Sequence, residues 1–221
     1  MSEIIYGQYN ATEFPLKHFC YREIPEHIGN QLFDLNRNRL AYFRGGLSYI
    51  FLTGNEEYQL KDFDMFSLAK NRNAIFDSLN DADVIFVNRN TFGETVVTAF
   101  WRVSTEFYKL DILLTKELLP LTEVDFKGRS ILTVSVQYIW KNRLEKIAEK
   151  KIRNHDDKKT LNHYKVAFDL TDYIIRDKID VSKRDIENIK TRRSEIESTL
   201  KLLIASEQLQ EFMSRLDEVL V

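Results

Sequence analysis

The chain is poor in the residues that mark the specialised protein classes. It holds one cysteine, Cys20, in 221 residues. A lone thiol closes no internal disulfide and builds no cysteine-rich metal site, which suits a reducing compartment and argues against redox chemistry; Cys20 reads as a packing residue. Prolines number three and glycines seven, with every glycine before position 130, so no Pro/Gly/Ser linker marks a domain boundary. No stretch approaches the ~18 apolar residues of a membrane span. The opening MSEIIYGQYN has neither a basic n-region nor an apolar h-region. The expectation is a cytoplasmic protein with no membrane partner. An excess of one charge is missing too, since 32 basic against 34 acidic residues leave −2, and any RNA or DNA contact must therefore be local. The histidines offer no zinc pair: His155 and His163 are eight apart rather than four, and His18 and His27 lie in unrelated segments. Gly-x-Ser-x-Gly, Gly-x-x-x-x-Gly-Lys-Ser/Thr and Gly-x-Gly-x-x-Gly are all absent, which removes the main support for triad-hydrolase, P-loop and Rossmann readings.

What the chain does have is enough apolar material for a core, at 43% hydrophobic and 12% aromatic residues. Ile28, Leu32, Leu35 and Leu40 fall near helical spacing and predict a helix from Pro25 to about Arg39. A short strand over Leu40–Arg44 runs into Gly45-Gly46, and a helix begins over Leu47–Leu52. Further strands are expected at Leu60–Phe66, Val84–Asn88, Thr95–Val103 and Phe107–Leu114, with Ser104-Thr-Glu as the last connection. From Val134 the pattern becomes helical: Val136, Ile139, Trp140, Leu144 and Ile147 make one stripe, and Tyr164, Phe168 and Leu170–Ile174 another. Ser182-Lys-Arg-Asp185 opens a further helix in capping-box style, with Ile189, Ile196 and Leu203 at seven-residue intervals beside Ile186, Leu200 and Ile204. That helix reads as a bundle member rather than a dimeric coiled coil. The expected fold is α+β (mixed α/β), with a mixed, partly antiparallel sheet over residues 1–130 and a C-terminal helical bundle over 131–221.

Three acids carry the candidate chemistry. Asp62-Phe63-Asp64 puts two carboxylates on one face of a strand and Phe63 on the other. Like charges that close are costly unless a cation lies between them, and hard oxygen ligands suit Mg²⁺ or Mn²⁺. Asp111 interrupts the aliphatic run Leu110-Asp-Ile-Leu-Leu114 and needs a partner there. If the sheet brings it beside Asp62 and Asp64, the three can hold metal ions that bridge a triphosphate. Seventeen residues before Asp62, Gly45-Gly46-Leu-Ser48 can present backbone N–H groups and the Ser48 hydroxyl to phosphate oxygens. Asp-x-Asp is common on solvated surfaces and a bare Gly-Gly is more often a turn, so the order of these pieces is what carries the reading. A local basic stretch adds Lys141, Arg143, Lys146, Lys150, Lys151, Arg153, Lys158, Lys159 and Lys165, against Glu145, Glu149, Asp156 and Asp157. Such a patch can hold RNA, a triphosphate or solvent.

Gly45-Gly46 with Ser48, then Asp62-Phe-Asp64, then Asp111 within Leu-Asp-Ile-Leu, resembles the signature of the polymerase-beta-like nucleotidyltransferase superfamily. Within it, the chain is most similar over roughly residues 38 to 175 to the AbiEii-type family, the toxin component of type IV abortive-infection toxin-antitoxin pairs. Leu60 stands where that family often has serine, and Val166 replaces the first acid of its helical motif. The resemblance implies a nucleotidyltransferase that moves an NMP from an NTP to an acceptor hydroxyl, using Mg²⁺ or Mn²⁺ on Asp62, Asp64 and Asp111. It implies that Gly45, Gly46 and Ser48 hold the departing phosphates and that Lys146 contacts the triphosphate, with Lys141 as the other candidate lysine. It implies that Asp169 positions a base or orients Lys165. An RNA acceptor, such as the end of a tRNA, or a protein hydroxyl, and a cognate antitoxin, are the partners it suggests. Two rival readings stand beside it: a small-molecule, antibiotic-type nucleotidyltransferase with an acidic drug pocket, and a non-catalytic nucleotide- or partner-binding module that uses its C-terminal helix as the interface.

Overall fold

The computed structural model describes residues 2–91, 93–150 and 152–221. The chain divides into two compact units, Met1–Val134 and Ser135–Val221.

The first unit is built on one sheet. Its strands are β1 (Glu3–Tyr6), β2 (Tyr42–Arg44), β3 (Phe63–Leu68), β4 (Val84–Arg89), β5 (Thr95–Val103), β6 (Glu106–Thr115), β7 (Leu121–Phe126) and β8 (Arg129–Val134). They lie in the order β1-β4-β5-β6-β3-β2-β8-β7. β3 and β6 are parallel neighbours, as are β1 and β4 and β2 and β8, whereas β2–β3, β4–β5, β5–β6 and β7–β8 are antiparallel. The sheet is therefore mixed, and with the helices it makes an α+β fold. Three helices accompany it: α1 (Glu26–Arg37), α2 (Gly45–Thr53) and α3 (Arg72–Ser78). α1 is amphipathic and buries Ile28, Leu32 and Leu35 on one face. It stops where Arg39 turns left-handed at φ 55°. α2 buries every residue from Leu47 to Leu52, as a helix apolar on all sides must, and Gly54 caps it at φ 74°.

Several elements go beyond the sequence reading. β1, β7, β8 and α3 were not expected. The predicted boundary at 130/131 falls inside β8, because Ile131 and Val134 are core residues of the sheet and Thr133 pairs with Phe43 of β2. The strand expected over Leu60–Phe66 begins at Phe63, which leaves Asp62 at its mouth.

The second unit is helical: α4 (Val136–Ala148), α5 (Asp157–Arg176), α6 (Lys183–Leu200) and α7 (Ser206–Val219). The predicted stripe of Val136, Ile139, Trp140, Leu144 and Ile147 is buried throughout. The Trp140 indole N–H donates to Thr171 Oγ1 at 3.0 Å, tying α4 to α5. Val166 is wholly buried, which gives an apolar residue at that position a packing reason. Ser182 caps α6 by accepting from the Asp185 backbone N–H. The seven-residue pattern does not run through one helix, because α6 ends at Leu200 and Leu203 and Ile204 lie in the turn before α7. Among the described residues, no helix is long and apolar enough to cross a membrane.

Candidate active site

The site grows from three neighbouring strands. In the parallel β3–β6 ladder Asp64 stands opposite Asp111, and in the antiparallel β5–β6 ladder Thr98 stands opposite Asp111. Side chains opposite one another in a ladder share a face, so Asp64, Asp111 and Thr98 project together. Phe63 alternates to the other face, where it is fully buried and stacks at 6.1 Å on Tyr108.

A lysine that the sequence reading passed over joins the acids. Lys109 Nζ lies 2.7 Å from Asp111 Oδ2 and 3.1 Å from Asp62 Oδ2. Thr98 Oγ1 donates to the other Asp111 oxygen at 2.8 Å. Asp62 and Asp111 keep 29% and 27% of their side-chain surface, while Lys109 keeps 9%, so solvent reaches the carboxylates and hardly touches the ammonium. Burial alone would push the Lys109 pKa down; Asp111, and then Asp62, outweigh it and hold the group above the ordinary lysine value. The lysine stands opposite Phe100, whose ring belongs to a cluster with Tyr9, Phe14, Phe86 and Phe107. Its apolar stem thus has aromatic neighbours while its head meets the acids.

The partner that Asp111 needed is therefore Lys109 together with Thr98, and not a metal cage already formed by three acids. Among the described residues no group of three or more acidic, histidine or cysteine side chains stands ready to hold a metal ion. The donor set is nonetheless of the hard-oxygen kind that Mg²⁺ accepts, and the ammonium between Asp62 and Asp111 shows that this position takes a cation.

Gly45 and Gly46 close the site from the β2–α2 turn. Gly45 has φ 65°, and a Cβ there would meet Asp64 Cβ and Cγ at 2.9 Å. The carboxylate-bearing side chain thus packs directly on the turn, and only glycine permits it. Gly46 is pinned similarly, with Leu60 and Tyr58 filling the space a side chain would need; Leu60, at the position where serine was expected, is a buried packing residue. Ser48 is fully buried and accepts a hydrogen bond from the Thr133 hydroxyl, so it supports the turn from the interior.

The remaining candidates lie in the second unit. Lys146 is half-buried in the last turn of α4. Lys165 is exposed and Asp169 half-buried on α5, four residues apart and so on one helix face. Lys141 is held by Asp185 at 2.6 Å. The basic stretch is partly spent inside this unit: Lys150 pairs with Asp157, Arg153 with Glu149, and Arg143 is buried against His163. Lys158 and Lys159 remain exposed, and Lys151 lies outside the described residues. His155 and His163 do meet, with ring centroids 5.2 Å apart. Arg143 Nη1 lies 3.0 Å from His163 Nδ1. Burial, then Arg143 and Lys146, push His163 down to about 2.

A solved structure of an antigenic nucleotidyltransferase-like protein from Paracoccidioides brasiliensis matches 86% of this chain over 89% of its own, with a TM-score of 0.52 at 12% identity. The chain has a nucleotidyltransferase-like fold. The antibiotic-resistance factor ANT(2'')-Ia matches at TM-score 0.46 and 15% identity, over 79% of this chain and 92% of its own. A structure of ANT(2")-Ia in complex with adenylyl-2"-tobramycin matches at 0.46 and 15%, over 78% and 95%. No family model matches the chain, and no curated protein does, so the AbiEii-type resemblance stands on its motif residues alone. On this nucleotidyltransferase-like fold, Lys109 and Thr98 were the residues missed. The available signals were a lysine two positions from Asp111 on the same strand face, and a two-residue turn at Ser104-Thr105 that sets Thr98 opposite Asp111.

Proposed function

We propose that the chain is a metal-dependent nucleotidyltransferase that transfers an NMP from an NTP to an acceptor hydroxyl. The observation that supports this best is Asp64 opposite Asp111 in the β3–β6 ladder and packed on the Gly45 turn, with Asp62 joined to Asp111 through Lys109, on a nucleotidyltransferase-like fold. Mg²⁺ or Mn²⁺ held by these carboxylates would supply neutralisation of the charge that develops around the α-phosphorus. The residues do the rest. Asp111 takes the proton of the acceptor hydroxyl as its oxygen bonds to the α-phosphorus. The bond to the pyrophosphate oxygen breaks, and pyrophosphate leaves against the amides of Gly45 and Gly46 at the N-terminus of α2. Thr98, bonded to one Asp111 oxygen, and Lys109, paired with the other, fix that carboxylate's orientation. Ser48 acts through the turn and not on the phosphates.

From the AbiEii-type resemblance, Lys146 contacts the triphosphate and Asp169 orients Lys165 or a base. The same resemblance suggests an RNA acceptor, with a tRNA end as first candidate, and a toxin role with a cognate antitoxin. Incubating the protein with α-labelled NTPs, Mg²⁺ and bulk tRNA, with aminoglycosides in parallel, tests the reading. Label on tRNA is expected, and label on the drug alone would replace the RNA acceptor with a small molecule. Asp64→Asn should abolish transfer by about 10²-fold or more; metal-dependent transfer that survives it would refute the site.

A further inference from the structure

We infer that Lys109 is a built-in cation that takes the place of one of the two metal ions a three-carboxylate phosphoryl-transfer site can hold, so that the chain binds a single divalent ion with its nucleotide. The inference deepens the nucleotidyltransferase reading and rests on it. Lys109 Nζ lies within 3.1 Å of Asp62 and 2.7 Å of Asp111, the position an ion shared by those two carboxylates would require. The side chain is only 9% exposed and is set opposite Phe100 beside an aromatic cluster. An incoming metal ion could displace the ammonium only by parting a largely buried charge from the two carboxylates that pair with it, which is strongly unfavourable.

Asp64, packed on the Gly45 turn, is the carboxylate nearest the phosphate-binding backbone and so the natural ligand for the ion that arrives with the triphosphate. An ammonium is a point charge without open coordination positions, so it balances charge and positions Asp62 and Asp111 but does not polarise the acceptor oxygen. Proton removal then falls on Asp111 itself. Lys109 is a positioning residue in this scheme.

Mn²⁺ titration followed by electron paramagnetic resonance, with a non-hydrolysable NTP analogue bound to the full chain, counts the ions. One per chain is expected for wild type and for Lys109→Arg, and two for Lys109→Met. Two ions on wild type would overturn the inference, as would a Lys109→Met protein that still binds one; if that variant does not fold, the wild-type count decides alone. The labelled-transfer assay keeps the two readings apart. Two bound ions with transfer intact would sink only the role of Lys109, whereas one bound ion without transfer would sink the enzymatic reading and leave the count standing. No bound ion at all would overturn both.

Discussion

Gly45 is the residue at which backbone geometry and site chemistry meet. Its φ of 65° costs a non-glycine residue about 1–2 kcal/mol, and a methyl group there would also collide with Asp64. Gly54 provides a matched control, with φ 74° and nothing within 4 Å. Gly54→Ala should therefore lower stability by about 1–2 kcal/mol, and Gly45→Ala by about 2–5 kcal/mol, as read from urea midpoints. Only the second should also reduce NMP transfer, because it alone moves a site carboxylate. Equal losses at the two glycines would show that the contact with Asp64 carries no energy.

At the scale of elements, the sheet is completed by a side chain. β2 and β8 share one register pair, Phe43 and Thr133. Buried Asn36 of α1 supplies the next bonds, accepting from the Leu132 N–H at 2.9 Å and donating to the Leu132 and Ala41 carbonyls at 2.7 and 3.2 Å. Asn36→Leu strands these groups and should cost about 2–3 kcal/mol in denaturant unfolding. α4 and α5 meet at His163, which the fold keeps neutral: burial, then Arg143 and Lys146, set its pKa at about 2, whereas in the unfolded chain it titrates near 6.5. Below that value the unfolded state takes up a proton that the folded state refuses, so stability is full above about pH 6.5 and falls with acidification. The loss should approach about 2 kcal/mol between pH 7 and pH 5, and His163→Asn should flatten it. β3, β5, β6 and α4 were legible because their apolar periodicity is strong, and Asp62, Asp64 and Asp111 because carboxylates interrupt it. β7 and β8 were overlooked although Lys127-Gly128, both at positive φ, forms the kind of two-residue turn that joins such hairpins. β1 is a mostly exposed edge strand and leaves little pattern to read. The Lys109 bridge to Asp62 depends on a parallel pairing between distant segments, which spacing along the chain does not reveal.

For the molecule as a whole, each unit has its own interior. Trp140, Leu144, Ile147, Leu170, Ile189, Ile196, Phe212 and Leu216 are all fully buried in the helical one. A fragment of residues 135–221 is expected to fold alone, with helical circular dichroism and a cooperative melt, since domains of this size bury enough surface to do so. A fragment that stays unfolded would show that its core needs the rest of the chain. The ammonium held between Asp62 and Asp111 has a practical counterpart at this scale. Proteins whose acids are bridged only by calcium or zinc come apart in chelators, but here the counter-ion is covalently attached. The protein should accordingly melt at the same temperature in EDTA as in buffer, refold from urea without added salts of magnesium, and remain intact through any period of metal starvation.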